Sequence, residues 1–208
     1  QKTNAEHLLS KNIDNKFFPH KVNSLNKLKQ VLNDGFRSFE VDLFFNDKSS
    51  SFITGHNVDD VGINFEDFLI YCKNNNIILK KVWLDIKNAT QENILQIQKK
   101  LEIFDNIYNV KNIFLIETQL TSNLISKLSD DQWYTSYYLP TNFIQSLNEK
   151  KDESEIEKYI SKLVNQLEKQ NIKSISFDLS IIDFFEKYIK NKIDSNIDFN
   201  VWYGPNLY

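Results

Sequence analysis

The sequence predicts an α/β protein whose mainly parallel sheet forms a small (β/α)8 barrel. Short apolar segments typical of strands alternate with segments of helical periodicity along the whole chain. Acidic residues lie at the ends of several of these strands, a pattern that favours a barrel with its site at the C-terminal face. An open doubly wound sheet is the alternative architecture, but no Gly-x-Gly-x-x-Gly motif supports a dinucleotide-binding version of it.

The first predicted elements are a helix and a strand pair. Apolar residues at helical spacing predict a helix over Leu25–Leu32, and Gly35 supplies the position after its C-terminus. A strand over Ser38–Phe44 follows, and a polar turn leads to a second apolar segment, Phe52–Gly55. This link is too short for a parallel crossover, so we expect an antiparallel hairpin that returns His56 to the end of the first strand.

The alternation continues through the rest of the chain. Further helices are predicted over Phe65–Asn74, Glu92–Phe104, Thr121–Leu128, Glu153–Lys169 and Ile182–Lys190. Further strands are predicted over Val82–Ile86, Asn112–Glu117, Trp133–Leu139, Ser174–Leu179 and Phe199–Tyr203. Asn148–Ser154 has the composition of a charged loop. No eighth strand is evident, so we expect either an incompletely closed barrel or a trimmed chain, with one domain over residues 1–208.

Composition argues against several classes of protein. The net charge of -3 gives no electrostatic argument for a nucleic-acid partner. Cys72 is the only cysteine, which excludes an intramolecular disulfide and a thiolate metal cluster. No apolar run approaches the roughly 18 residues of a membrane span. The start of the chain has no signal-peptide pattern, which favours a cytoplasmic location. Because the chain begins at Gln1 and contains no methionine, secretion after removal of a signal peptide stays open.

Acidic residues inside apolar strands are the most informative feature of the sequence. Glu40 and Asp42 are two residues apart in one strand, so they point to the same face. The strand over Val82–Ile86 carries Asp85, and Lys87 follows it directly. Carboxylates among apolar residues are costly unless a cation or hydrogen bonds compensate them. A hard divalent cation, Mg²⁺ or Ca²⁺, bound by Glu40, Asp42 and Asp85 would do so.

Two of the three histidines lie at the ends of short apolar segments. His20 is expected to end a first strand over Phe17–His20, and His56 follows Gly55 at the end of the second strand of the hairpin. Two imidazoles beside a cation are suited to act as general acid and general base. The simpler interpretation is that His20 is a capping or turn histidine and His56 a loop histidine. His7 lies in a polar segment and is expected to have no function.

In order and spacing, these motifs resemble those of the glycerophosphodiester phosphodiesterase and phospholipase-C-like phosphodiesterase superfamily. After the first histidine come Asn-Ser, a helix, Gly-Phe-Arg-Ser-Phe-Glu-Val-Asp, Gly-His and, one helix later, Trp-Leu-Asp-Ile-Lys. The resemblance covers residues 17–87, and Val-Trp near the C-terminus is similar to a late strand of the superfamily. The typical His-Arg-Gly is His20-Lys21-Val22 here, and Asp85 stands where those enzymes usually have Glu.

The resemblance implies a TIM barrel that cleaves a glycerophosphodiester-like, lipid or sugar phosphodiester with a divalent cation. His20 and His56 match the superfamily's catalytic histidines, and the three acidic residues match its metal ligands. Contacts with the substrate are expected from four further residues: Lys87, Lys21, Asn23 and Trp202.

Each of these features also has a simpler interpretation. Glu40 and Asp42 could be exposed on an edge strand. Asp85 and Lys87 could form a plain ion pair, and Glu117 and Asp178 are expected to be helix caps or loop charges. The functional alternatives are a barrel that binds a phosphate-bearing ligand without turnover and a sphingomyelinase-D-like phosphodiester lyase. The lone Cys72 cannot form the disulfide that usually braces a loop in that lyase.

Overall fold

The computed structural model describes residues 18–56, 59–60, 62–118 and 124–202. The chain divides into two compact units, residues 1–119 and 120–208. Strands alternate with helices in both units, and each described strand pair is parallel except the predicted hairpin. The predicted α/β class is therefore confirmed, whereas the single domain over residues 1–208 stays a prediction.

The first unit is a four-stranded sheet with helices between its strands. Its elements are α1 (Leu25–Asn33), β1 (Ser38–Asn46), β2 (Ser51–Thr54), α2 (Glu66–Asn74), β3 (Lys81–Ile86), α3 (Ile94–Tyr108) and β4 (Phe114–Thr118). The strand order is β2-β1-β3-β4. β1, β3 and β4 run parallel, and β2 returns antiparallel beside β1 with Leu43 opposite Thr54. β1 is therefore an inner strand of this sheet.

Side-chain alternation in β1 separates a core face from a polar face. Phe39, Val41 and Leu43 are fully buried. They belong to a core rich in aromatic rings, whose centroid separations run from 5.1 Å for Phe45–Phe52 to 6.4 Å for Phe39–Phe68. Residues between these core positions point to the opposite face of the sheet. This places the carboxylates of β1 away from the apolar core.

Capping determines where α1 begins and ends. The Ser24 side chain accepts a hydrogen bond from the Lys27 amide at 3.2 Å. At the other end Gly35 has φ 91°, and its amide donates to the Leu32 carbonyl. A left-handed residue at this position suits glycine, as the sequence predicts. The helix therefore ends at Asn33, and a short connection leads to the start of β1 at Ser38.

The second unit contains a three-stranded parallel sheet. Its elements are α4 (Leu124–Asp130), β5 (Tyr134–Tyr138), α5 (Thr141–Lys150), α6 (Glu153–Lys169), β6 (Ser174–Asp178), a 3₁₀ turn (Leu179–Ile181), α7 (Ile182–Phe184), a π-helical turn (Phe185–Ile189) and β7 (Asp198–Trp202). The strand order is β5-β6-β7. The apolar stripe of α6 packs into a core with Ile175 and Phe177 of β6. None of the helices among the described residues is long and apolar enough to cross a membrane.

Two sequence predictions require correction. Most of the predicted loop Asn148–Ser154 is helical, since α5 runs to Lys150 and α6 starts at Glu153. Lys151 at φ 54° and Asp152, which caps α6, form the whole break. Residues 18–20 are not a strand, and Phe17 lies outside the described residues. The part of the chain that the structure describes holds seven strands including the hairpin arm, one fewer than a complete (β/α)8 barrel.

Candidate active site

Three carboxylates lie together on two neighbouring parallel strands. Glu40 and Asp42 share the face of β1 opposite its core face. β3 pairs with β1 in a register that places Asp85 directly beside Asp42. Each of the three residues offers an oxygen atom within 4.8 Å of the others. The structure therefore brings the three predicted metal ligands into one cluster.

Burial of this cluster is nearly complete. Glu40 is 2% exposed and Asp42 is 1% exposed, and β1 is an inner strand between β2 and β3. Asp85 is 16% exposed. The interpretation of Glu40 and Asp42 as exposed residues on an edge strand is therefore wrong. Burial of three carboxylates is unfavourable, so the residues around them must compensate the charge.

The segment before α1 lies along β1 and supplies part of this compensation. The Glu40 amide donates to the Pro19 carbonyl, and the Val22 amide donates to the Glu40 carbonyl, both at 2.9 Å. Lys21 between them is left-handed, with φ 53°. Its amide donates to Glu40 Oε2 at 2.6 Å, while its side chain is exposed. A strained lysine backbone thus contacts the cluster, and substrate contact by its ammonium stays a prediction.

Asn23 orients Asp42 through two hydrogen bonds. Its Nδ2 donates to Asp42 Oδ2 at 2.8 Å, and its Oδ1 accepts from the Asp42 amide at 3.1 Å. The Asn23 carbonyl also accepts a hydrogen bond from Thr54 Oγ1 at 2.8 Å. Asn23 therefore ties the end of β2 to Asp42. Sequence reasoning assigned Asn23 to substrate contact, which stays a prediction, and missed this positioning role.

Each predicted catalytic histidine contacts a different carboxylate. His20 Nε2 lies 3.3 Å from Glu40 Oε2, and His56 Nδ1 lies 3.2 Å from Asp42 Oδ1. The hairpin returns His56 as expected, and the Gly55 amide donates to the Asp42 carbonyl. The side chains of His20 and His56 are 42% and 48% exposed. Two accessible imidazoles thus border a buried acidic cluster, an arrangement suited to proton transfer at a bound ligand.

Lys87 is the cation that neutralises part of the cluster. Its Nζ lies 2.8 Å from Asp42 Oδ1 and donates to Asp85 Oδ2. The Lys87 side chain is only 13% exposed. The ion pair between Asp85 and Lys87, considered as an alternative to a site, is therefore present. It is part of a larger buried network rather than an isolated surface pair.

The network shifts the protonation equilibria of its members in different directions. Burial and the nearby Asp42 carboxylate raise the pKa of Glu40 to about 8. Burial also raises the pKa of Asp85, although Lys87 opposes the shift. Burial acts in the same sense on Asp42, but hydrogen bonds from Asn23 and Lys87 outweigh it and lower the pKa of Asp42.

The pKa values of the two basic residues near the cluster, His20 and Lys87, also shift. Burial lowers the pKa of His20 to about 4, against the opposing effect of Asp42. Burial would also lower the pKa of Lys87, but its carboxylate partners outweigh this and raise the pKa above its ordinary value. At neutral pH the His20 imidazole is therefore neutral and the Lys87 ammonium is charged.

Two carboxylate oxygens in the cluster have no hydrogen-bond partner among the described residues. These are Glu40 Oε1 and Asp85 Oδ1, both fully shielded from solvent. An orphaned buried carboxylate oxygen is costly, and a hard cation would satisfy both atoms together with Asp42. The donor set contains only oxygen atoms, which suits Mg²⁺ or Ca²⁺. The residues present therefore fit the predicted cation.

We expect the metal-free protein to lose stability as pH rises from about 6.5 to about 8. In this window the folded protein keeps a proton on Glu40 that the unfolded chain releases, since the pKa is 4.5 ordinarily and about 8 in the fold. His20 acts in the opposite sense only between about 4 and 6.5. The Glu40 effect is therefore isolated between pH 6.5 and 8, where the melting temperature in EDTA should fall.

Glu40→Gln tests this expectation because it mimics the protonated carboxyl at every pH. The fall in melting temperature between pH 6.5 and 8 should be reduced in this variant. Glu66→Gln, which removes a carboxylate paired with Lys100 outside the cluster, is the matched control and should keep the parent slope. Equal slopes in the parent and in Glu40→Gln would show that Glu40 is not held protonated.

Of the remaining residues considered from the sequence, only Glu117 is shown next to a member of the cluster, Asp85. Trp202 belongs to the second unit, where its ring stacks on Tyr138 at 6.0 Å, and its substrate contact stays a prediction. Asp178 is a helix cap as expected, since it accepts from the Ser180 amide at 2.7 Å. Glu117 is not a cap or a loop charge, because it lies buried in β4 opposite Asp85. His7 lies outside the described residues.

Comparison with known proteins relates this architecture to one group of enzymes. No protein-family model and no curated protein matches the sequence. A glycerophosphodiester phosphodiesterase from Parabacteroides distasonis is similar in structure, with a TM-score of 0.62 and 11% identity over 86% of this chain and 76% of that one. A Silicibacter pomeroyi protein assigned as a glycerophosphoryl diester phosphodiesterase has a TM-score of 0.61 and 10% identity over 89% of this chain and 81% of that one.

A third similar structure, from Galdieria sulphuraria, is also assigned as a glycerophosphodiester phosphodiesterase. It has a TM-score of 0.56 and 11% identity over 91% of this chain and 84% of that one. The structural similarity establishes a shared fold, and at identities this low it establishes nothing more. The fold of these neighbours is the TIM barrel. The chain therefore has the fold of the glycerophosphodiester phosphodiesterases, as its sequence motifs imply, with fewer strands described than a complete barrel has.

Proposed function

We propose that the protein is a metal-dependent phosphoric diester hydrolase that cleaves a glycerophosphodiester-like, lipid or sugar phosphodiester. One observation carries this proposal. Two accessible imidazoles contact two different carboxylates of a single buried cluster whose orphaned oxygens fit a cation. The shared fold with glycerophosphodiester phosphodiesterases adds independent support.

In the proposed reaction the residues of the cluster and the two histidines have separate roles in metal binding, proton transfer and charge stabilisation. Glu40, Asp42 and Asp85 would hold Mg²⁺ or Ca²⁺, which when bound neutralises charge on a phosphoryl oxygen. One histidine removes a proton from the nucleophile, which is water or a neighbouring hydroxyl of the substrate. The other histidine protonates the departing alkoxide. The Lys87 ammonium adds charge stabilisation to the phosphoryl oxygens.

Hydrolysis of a generic diester tests this proposal. We expect the protein to cleave bis(p-nitrophenyl) phosphate or glycerophosphocholine, and EDTA should stop the reaction. Phosphomonoesters should be poor substrates, because a dianion brings one more negative charge to the carboxylate cluster. Release of p-nitrophenol or of free choline, each measured with and without added metal, gives the result.

A phosphate-binding barrel without turnover is the second candidate. It is favoured by Lys87, which already neutralises two carboxylates without any metal. In that case no diester in a broad panel would be cleaved, whereas phosphate-bearing ligands would raise the melting temperature. That pair of results would replace the hydrolase proposal with the binding one.

A further inference from the structure

The segment before α1 pairs with β1 through one residue more than a regular pairing needs. The Glu40 amide donates to the Pro19 carbonyl, and the Glu40 carbonyl accepts from the Val22 amide, both at 2.9 Å. In a regular parallel pair these two partners are two residues apart, because each residue bonds to the neighbours on either side of its counterpart. Here they are three residues apart, so His20 and Lys21 together lie opposite Glu40. Two residues opposite one define a β-bulge.

Lys21 is the extra residue of this bulge. Its φ of 53° lies in the left-handed region, which lysine rarely adopts. In a regular pair its amide would bond to the Glu40 carbonyl, but here it donates to the side-chain oxygen Oε2 of Glu40 at 2.6 Å. The same Oε2 lies 3.3 Å from His20 Nε2, whereas Oε1 has no hydrogen-bond partner among the described residues. The bulge therefore determines which oxygen of Glu40 is left for a cation.

The bulge also changes which side chains of the segment face the cluster. Residues three apart in a regular strand point to opposite faces of the sheet. His20 and Asn23 are three apart, yet His20 contacts Glu40, and Asn23 Nδ2 donates to Asp42 Oδ2 at 2.8 Å. Val22 between them is fully buried in the apolar core. A shift of one residue exchanges the two faces, so the extra residue accounts for the contact of Asn23 with Asp42.

We propose that the left-handed bulge at Lys21 is a positioning element of the site, which sets His20, Asn23 and Glu40 in their places. The backbone of Lys21 performs this role, because its amide and its φ make the contacts and its ammonium does not. A residue that accepts a left-handed conformation should therefore preserve the site, and a β-branched residue should not. The role of Glu40 Oε1 in this inference rests on the proposed metal site.

A pair of variants at position 21 separates the backbone from the side chain. Lys21→Gly and Lys21→Val both lack the ammonium, but only glycine adopts the left-handed conformation without strain. In calorimetric titrations Lys21→Gly should bind Ca²⁺ as the parent does. Lys21→Val should bind Ca²⁺ about ten-fold or more weakly, because a metal ligand has lost its support. In metal-free protein, the NMR resonances of the Asn23 side-chain amide should move in Lys21→Val and stay in place in Lys21→Gly.

Lys151 supplies the matched control. It is also a left-handed lysine, with φ 54°, and it lies between α5 and α6 outside the cluster. Lys151→Val should lower the melting temperature in the same way as Lys21→Val but leave Ca²⁺ affinity unchanged. This comparison separates positioning of the site from the general cost of backbone strain. Lys21→Thr, which is also β-branched, replaces Lys21→Val if that variant does not fold.

Three results would count against these proposals. Equal Ca²⁺ affinities and equal Asn23 resonances in Lys21→Gly and Lys21→Val would overturn the positioning role of the bulge. An equal loss of Ca²⁺ affinity in both variants would assign the effect to the ammonium and overturn the role of the backbone. Absence of Ca²⁺ binding in the parent would overturn the metal site, and the Asn23 resonances alone would then decide the role of the bulge.

Discussion

Replacing His20 or His56 with alanine is expected to lower turnover of a phosphodiester by about 10²–10⁴-fold, because each imidazole would transfer a proton in the reaction. The structure supports both assignments, since the two rings contact different carboxylates of one cluster. Both side chains are more than a third exposed, so neither substitution should prevent folding. Initial rates on a saturating diester, with circular dichroism as the check on folding, give the comparison.

A loss in the alanine variants could also arise indirectly, through a displaced carboxylate. Two isosteric substitutions separate these causes. Asparagine at position 56 mimics Nδ1, the atom through which His56 contacts Asp42. Glutamine at position 20 mimics Nε2, the atom through which His20 contacts Glu40. An amide keeps these contacts but cannot exchange a proton near neutral pH, so His56→Asn and His20→Gln should remain as inactive as the alanine variants.

His7→Ala is the control, because His7 is the only other histidine in the chain. Its activity should equal that of the parent. Full activity in His20→Ala or His56→Ala would remove that histidine from the reaction. Restored activity in His20→Gln or His56→Asn would assign the ring a positioning role instead of proton transfer.

Local periodicity was sufficient to predict how the carboxylates converge. Glu40 and Asp42 share a face because strands repeat every two residues, and this holds wherever the strand lies. Asp85 joins them because neighbouring parallel strands end at one edge of a sheet. The return of His56 required only the short turn between β1 and β2, which forces an antiparallel hairpin. These arguments need only the spacing of residues that are close in sequence and a general rule about where parallel strands end.

The compensation of the cluster could not be predicted in the same way. Asn23 contacts Asp42 across 19 residues of sequence, and no local pattern indicates which of many asparagines does so. The ion pair between Lys87 and Asp85 was considered from the sequence, but the second contact of Lys87, with Asp42, was not. Contact of Lys87 with a substrate stays a prediction. Such choices depend on which polar groups are buried together, since each buried charge must find a partner in three dimensions.

The missed helix α5 has a different cause. Its charged C-terminal residues resemble a loop in composition, yet they lie on the outer surface of a helix. Ile144 and Leu147, three residues apart, are its buried positions, and this short signal was not sufficient to identify a helix. The break after it comes from Lys151 in a left-handed conformation, which the sequence does not indicate because glycine is the usual residue there.

Asp42→Asn is expected to abolish the stabilisation of the protein by Mg²⁺ or Ca²⁺. A metal that binds only the folded state at about 100 times its Kd adds about 2.7 kcal/mol to the free energy of unfolding. For a chain of this size that is about 5–10 °C in melting temperature. Asp42 is the centre of the cluster, because it contacts Asn23, His56 and Lys87 and lies beside Asp85. Asparagine keeps its shape but removes its charge.

The variant should still fold, because Lys87 retains Asp85 as a partner and the repulsion between Asp42 and Glu40 is relieved. Diester turnover should fall by about 10²–10³-fold, since metal stabilisation of charge is worth several kcal/mol. Asp105→Asn is the matched control: Asp105 accepts from the Lys111 amide at 2.8 Å outside the cluster, and its variant should keep the full metal shift. A metal-dependent rise in melting temperature that persists in Asp42→Asn would place the bound cation somewhere other than this cluster.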